Sequence, residues 1–329
     1  MVLKPQSEFV IAKETIDFPA SLQNGVVAIG NFDGVHRGHR AVLDKALSIG
    51  TSCKAPVYAL TFEPHPRSFF RPDVPVFRLT PGDQKNDVLA ACGLKGSLTL
   101  PFNADFASTE AEAFVEETLI ERLRARHVVI GYDFHFGRGR RGTPSFLKDA
   151  GDRLGFGVTH VEPAQDEGAT IISSSRIRAA LAEGDLALAN GLLGYRWFVD
   201  AEVQHGDKRG RDLGYPTANL RVMEACGLKY GVYAVKVSID GVRHDGVASY
   251  GRRPTFDNGA ALLEVHLFDV SKDLYGKIIR VHMISFLREE LKFDGVNALI
   301  EQMNRDSDEA RAAIASIEPL SDLDLSLTF

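Results

Sequence analysis

Apolar positions follow two regimes along the chain. Between residues 25 and 185, short unbroken apolar runs alternate with stretches of helical period. The runs 25–29 (GVVAI), 56–62 (PVYALTF), 96–100, 127–130 (HVVI) and 158–161 predict buried strands. Residues 39–49 place Val42, Leu43, Ala46, Leu47 and Ile49 at helical spacing, with Gly50 as the stop. Helices are also predicted over 82–92, over 109–126 with Thr109 as its cap, and over 143–154. Strands alternating with helices define an α/β domain with a mainly parallel sheet. After about residue 195 the pattern turns β-rich, over 196–203, 232–239, 262–270 and 278–287, with Asp240–Gly241 as a hairpin turn. Along 294–317, Val296, Leu299, Ile300 and Met303 keep helical spacing. This second part reads as a small antiparallel barrel or sandwich with a terminal helix. Gly184, Gly191 and Gly194 interrupt the pattern between the regimes, which divides the chain into residues 1–187 and 188–329.

Length agrees with that division, since 329 residues exceed what one core usually holds. A net charge of −6 argues against a general polyanion-binding surface, so nucleic acid is not an expected partner. Cys53, Cys92 and Cys226 are widely spaced, make no zinc pattern and point to a reducing compartment. The N-terminal segment lacks the pattern of a signal peptide, and no apolar stretch reaches the length of a membrane span. The expectation is a cytoplasmic protein with no membrane partner. Oligomeric state is not legible.

The segment 30–39 (GNFDGVHRGH) follows the first strand and opens the first helix, where open α/β sheets bind ligands. A helix N-terminus offers unpaired N–H groups to phosphate. His36 and His39, three apart, share one face of the first turn, and Gly38 between them leaves room for a ligand. Two imidazoles there can donate to charge building on a triphosphate. Histidines near a helix start also cap or pack; the glycines and the preceding strand favour the ligand role. Zinc is disfavoured, because the spacing is not i, i+4 and no carboxylate pair is near. A second segment, 172–178 (ISSSRIR), puts hydroxyls before a helix whose first turn carries Arg176 and Arg178. Serines cap helices routinely, but arginines there oppose the dipole unless an anion is bound. The segment 131–137 (GYDFHFG) ends another strand, and Arg138, Arg140 and Arg141 follow it.

In the β-rich part, 205–220 (HGDKRGRDLGYPTANL) places Gly206, Gly210 and Gly214 at intervals of four, with Lys208, Arg209 and Arg211 between them. Such a loop can wrap phosphates with backbone N–H groups, although it is no Walker A loop. Thr217 and Asn219, two apart in an extended chain, offer two neutral oxygens to Mg²⁺. Along 262–270, Leu263, Val265 and Leu267 alternate with Glu264, so Glu264 points away from the apolar row. A surface glutamate is the ordinary outcome; in a kinase, the same residue could accept a hydroxyl proton.

The strings GNFDGVHRGH, TFEPHP, PFNADFA, GYDFHFG and ISSSRIR resemble, in order and spacing, the bacterial bifunctional riboflavin kinase/FAD synthetase family. GDKRGRDLGYPTANL, GVYAV, GRRPTF, LEVHLF, DLYG and LREELKF resemble its riboflavin kinase domain. Two positions depart from the family: Ser175 stands where it usually has Thr, and VASY (247–250) lacks the Asn of VANI/VANV. The resemblance implies a Rossmann-like nucleotidylyltransferase domain followed by an antiparallel riboflavin kinase barrel. It implies riboflavin plus ATP giving FMN, then FMN plus ATP giving FAD and pyrophosphate, with Mg²⁺ as cofactor. It implies catalytic roles for His36, His39, Arg178 and Glu264. ATP contacts in the first domain would come from Gly30, Phe32, Asp33, Gly38, Asp133, Ser173 and Ser174. In the second they would come from Gly206, Lys208, Gly210, Gly214 and Thr217, with Thr217 and Asn219 at the metal. Phe62, Asn103 and Arg288 would contact flavin. HxGH alone also fits a nucleotidylyltransferase for another phosphorylated metabolite, and a flavin- or ATP-binding regulator would share these folds. PTAN and EVH favour flavin, and the intact polar residues favour catalysis.

Overall fold

The computed structural model describes residues 9–15, 18–205, 214–223, 225–252, 261–270 and 272–329. Contacts divide the chain into two compact units, residues 1–174 and 175–329. The sequence pattern instead divides it at 187. The difference lies in two helices, Ser174–Glu183 and Leu186–Leu193, whose contacts run to the second unit. Lys229 N–H donates to Leu181 C=O, and the second helix packs on a barrel strand.

Among its described residues the first unit carries six strands: β1 (Val10–Lys13), β2 (Val26–Ile29), β3 (Val57–Glu63), β4 (Gly96–Pro101), β5 (His127–Gly131) and β6 (Gly157–Val161). They form one parallel sheet in the order β1-β4-β3-β2-β5-β6. Every β2 residue is buried, as expected of a central parallel strand covered on both faces. The chain steps outward from β2 through β3 to β4, then returns to place β5 on the other side of β2. The order therefore reverses between β2 and β5, which is the place where open α/β sheets bind ligands.

Two sequence expectations need correction here. Gly50 does not end the first helix, which runs Arg37–Cys53 and stops at Lys54 in the left-handed region. Gly50 is needed for close approach, since a Cβ there would lie 2.2 Å from Val57 Cγ2. Thr109 does not cap a helix N-terminus. It ends the short helix Ala104–Ser108, and the next begins Ala111–Ala113 and continues with wide-turn bonding over Phe114–Arg122. Separately, β1 was not anticipated; it is a four-residue edge strand with only Ala12 buried, too short and too mixed to show a period.

The second unit is a closed antiparallel barrel, which settles the barrel-or-sandwich alternative. Its strands are β7 (Phe198–Gln204), β8 (Ala218–Arg221), β9 (Gly231–Ile239), β10 (Val242–Arg252), β11 (Ala261–Leu267) and β12 (Ile278–Arg288), in the order β10-β11-β8-β7-β12-β9. Closure removes exposed sheet edges. The turn between β9 and β10 is Asp240–Gly241, both with positive φ (51° and 80°). The helix Val296–Ala315 covers part of the outer face, where Val232, Ala234, Val247, Phe268 and Ile284 pack with Ala310 and Ile314. A last short helix, Asp322–Thr328, is anchored by Asp324, whose buried carboxylate pairs with Arg196 and accepts from the Thr328 hydroxyl.

Candidate active sites

The loop after β2 is held in an unusual shape. Phe32, Gly34 and Val35 have φ of 47°, 87° and 36°, and a β-branched residue at positive φ costs energy that its surroundings must offset. Those surroundings are specific. Asp33 Oδ1 accepts from Leu79 N (2.9 Å) and Thr80 N (3.2 Å), and Gly34 N donates to Thr80 Oγ1 (2.9 Å). Asn31 C=O accepts from both Thr61 Oγ1 (3.0 Å) and Lys85 Nζ (3.0 Å). The Ser174 hydroxyl donates to Asp33 C=O at 2.9 Å. Asp33 is only 1% exposed, so its carboxylate shapes the loop from within.

This loop delivers His36 to the helix start. His36 Nδ1 accepts from His39 N at 3.2 Å, which places the proton of the neutral ring on Nε2. The two imidazoles stack with centroids 3.6 Å apart and planes 14° from parallel. Phe32 meets His39 edge-on at 5.4 Å. A Cβ on Gly38 would sit 3.0–3.1 Å from the His36 ring and 3.4 Å from Ile172 C=O, and one on Gly30 would sit 3.2 Å from the Phe32 ring. Both glycines thus leave space for the aromatic stack. Arg37, between the histidines, makes a bidentate pair with Glu167 (2.7 and 3.1 Å), tying down the turn before the Ser174–Glu183 helix.

Gly30, Phe32, Asp33, His36, Gly38, His39 and Ser174 are therefore brought together, and Ser173 is half-buried beside Ser174. Asp133 is exposed in the loop after β5, the strand that flanks β2 at the switch point. Arg138 in the same loop pairs with Glu110 at 2.7 Å. Arg178 is half-buried one turn into the Ser174–Glu183 helix and belongs to the second compact unit. Phe62 is buried in an aromatic cluster with Phe102 and Phe106, and Phe70 on the far side of Phe102 is 66% exposed. Asn103 caps the Ala104–Ser108 helix through Oδ1 to Phe106 N (2.8 Å). Sequence reading missed Asn31, Thr61 and Lys85. The first lies inside GNFDG, but nothing in the pattern marks its carbonyl as the loop's anchor.

In the barrel, Gly206, Lys208 and Gly210 lie outside the described residues. Gly214 is exposed at φ 81°. Thr217 lines a small pocket with Val265, Leu267, Lys272, Asp273 and Tyr275. Asn219 is 7% exposed, and its Oδ1 has no hydrogen-bond partner among the described residues. Glu264 sits directly across from Asn219 on one side and Ser249 on the other, so all three share one face. That face is the outer one, as the alternation predicted, yet Glu264 is half-buried and its Oε1 is fully enclosed. His266, two residues on, bonds through Nδ1 to Pro216 C=O at 3.0 Å; a carbonyl only accepts, so His266 donates. The PTAN and EVH strings are thus physically joined, Asn219 and Ala218 lying across from Glu264 and Val265 and Pro216 hydrogen-bonded to His266. Ser249 is the residue at the missing-Asn position, and its place beside Glu264 was not legible without the register. The Arg288 guanidinium is engaged by Asp306 (2.7 and 2.6 Å) and by Glu289 C=O (2.8 Å).

Asn219 and Thr217 fit a magnesium ion: both are neutral oxygen donors, and the buried Asn219 Oδ1 lacks a partner among the described residues.

A histidine pair at the switch point of a parallel sheet, joined to a barrel that sets an amide beside a carboxylate, defines a two-domain nucleotide-dependent transferase. The family model for FAD synthetase matches residues 18–176, and that for riboflavin kinase matches residues 193–314. The chain is 40% identical over 295 residues to the bifunctional riboflavin kinase/FMN adenylyltransferase of Escherichia coli (strain K12), covering 89% of this chain and 94% of that one. It is 37% identical over 290 residues to the protein of that name from Bacillus subtilis (strain 168), covering 87% and 91%. A Streptococcus pneumoniae structure described as a macrolide-efflux protein superposes with a TM-score of 0.81 at 32% identity, covering 92% of this chain and 98% of that chain. Among the described residues no helix is long and apolar enough to cross a membrane. The chain belongs to the bifunctional riboflavin kinase/FMN adenylyltransferase family.

Proposed function

We propose that the barrel phosphorylates riboflavin with ATP, giving FMN and ADP, and that the α/β unit adenylylates FMN with a second ATP, giving FAD and pyrophosphate, in the cytoplasm. The observation that carries the reading is the register pairing of Asn219 with Glu264, which puts a neutral oxygen donor beside a base candidate. In the kinase step the ribityl 5′-hydroxyl oxygen bonds to the γ-phosphorus, its proton passes to Glu264, and the bond to the β-phosphate oxygen breaks. Thr217 and Asn219 would hold magnesium, which supplies neutralisation of phosphate charge. Positioning does most of the remaining work.

In the second step an FMN phosphate oxygen bonds to the α-phosphorus of ATP and pyrophosphate leaves. The nucleophile is already anionic at neutral pH, so the site needs donors rather than a base. His36, through Nε2–H, together with His39 and Arg178, stabilises the charge that moves onto the leaving group. Ser173 contacts phosphate, while Ser174 works through Asp33. Gly30 and Gly38 keep the backbone close to the nucleotide, and Asp133 reaches it from the neighbouring strand end. Phe62 serves flavin binding through its aromatic cluster, Asn103 by fixing the turn beside that cluster, and Arg288 by its stapled position on β12.

Glu264→Gln tests the kinase half. Loss of a general base costs about 10²–10⁴-fold, so kcat for FMN formation should fall by that order with riboflavin affinity nearly unchanged. An unchanged kcat rejects the base role.

A further inference from the structure

Lys85 is 4% exposed, an unusual place for an ammonium group. Burying a charge is costly unless it is paired and bonded, and a methionine would fill the same volume without that cost. Its hydrogen bonds go to one place. Nζ donates to Asn31 C=O and to Thr61 Oγ1, both at 3.0 Å, and Thr61 Oγ1 donates to the same carbonyl at 3.0 Å. This triangle closes on the first residue after Gly30, where the chain leaves β2 and enters its positive-φ stretch. Asn31 Oδ1 is also enclosed, with no partner among the described residues. The charged groups around Lys85 are Asp33 on the loop, Glu63 at the end of β3, and Arg78 before the helix Asp83–Ala91. Arg78 is itself committed to Glu63 (2.5 and 2.9 Å) and lies 3.7 Å from Asp33.

We propose that Lys85 is a positioning residue for adenylyl transfer: its buried ammonium pins the Asn31 carbonyl and so fixes the strained loop that seats the His36–His39 pair. The inference rests on the adenylyltransferase reading of that histidine pair. A buried charged donor fixes a carbonyl more firmly than a neutral one, because charge-assisted bonds are roughly twice as strong. Loop misplacement of about 1 Å can cost about 10²-fold in rate. Burial pushes the Lys85 ammonium down to about 8, with Arg78 acting in the same direction and Asp33 and Glu63 opposing it. The pinning charge is therefore lost as pH rises through that value.

The test measures kcat and KM for FAD formation from FMN and Mg–ATP across pH 6.5–10, with riboflavin kinase activity of the same chain as the control for folding. For Lys85→Met, kcat should fall about 10- to 100-fold with KM for both substrates little changed and kinase activity retained. Wild type should lose kcat above about pH 8, and Lys85→Arg, which stays charged, should move that loss to higher pH. Thr61→Val, a milder change within the same triangle, should lower kcat in the same direction. Lys85→Met with unaltered kcat, or Lys85→Arg with its alkaline limb unmoved, overturns the proposal. No FAD from the wild-type chain would instead overturn the adenylyltransferase reading on which it stands.

Discussion

His282 shows how a single side chain in this molecule answers to its surroundings. It is 0% exposed, and burial, with the positive charges of Arg280 and Arg243, pushes its imidazole down to about 3. Thr328 Oγ1 lies 3.3 Å from Nδ1, joining the ring to the network around Asp324. The unfolded chain titrates near 6.5, so between about 6.5 and 3 the unfolded state binds the extra proton. This group's contribution is therefore present above pH 6.5 and lost as pH falls toward 3. Trp197, the chain's one tryptophan, is buried in the same unit and reports its unfolding. The stability gap between wild type and His282→Gln should narrow from pH 6.5 to 3 in urea melts followed by that fluorescence. A gap independent of pH would show that His282 does not titrate on unfolding. At the same scale, the glycines of the adenylyltransferase site act by what they omit: Gly30 and Gly38 leave room for the rings of Phe32 and His36.

Among the elements, the first helix and β3 depend on Gly50. Alanine is the better helix former by about 1 kcal/mol, which alone would make Gly50→Ala stabilising. The Cβ would meet Val57 Cγ2 at 2.2 Å and Ala55 C=O at 3.1 Å, and Val57 cannot swing away as a long side chain would. Overpacking costs about 1–3 kcal/mol, so the variant should melt at lower temperature by calorimetry; a raised melting temperature would refute the packing role. Gly50 also shows where sequence reading stops. A glycine after an apolar period reads as a helix end, and only the position of β3 shows that it is a contact. β7, β9, β11, β12 and the Val296–Ala315 helix were legible because their apolar periods are strong. β1 and β8, four residues each, were not, and Ala218–Arg221 was visible only as the PTAN string. β10, although eleven residues long, was marked only by the Asp240–Gly241 turn before it, because its sequence VRHDGVASYGR is broken by polar residues and glycines. Likewise, Glu264 could be assigned a face from alternation, but its neighbours Asn219 and Ser249 follow from register, which no single strand reveals. Lys85 lies in the polar first half of the helix Asp83–Ala91, and its burial there has no sequence signature.

Taken as a whole, the molecule joins two units with different chemistry. The α/β unit places stacked histidines at the reversal point of a parallel sheet, while the closed barrel sets Asn219 against Glu264. His36 and His39 lie in the first unit, and Asn219 and Glu264 lie in the second, so removing the histidine pair should spare the kinase step. The direct test is His36→Ala combined with His39→Ala, incubated with riboflavin and Mg–ATP, with flavins resolved by chromatography against wild type. Wild type should yield FMN and then FAD, and the double variant should stop at FMN with its rate of FMN formation nearly unchanged. FAD at the wild-type rate, or loss of both products from a folded chain, would contradict the account.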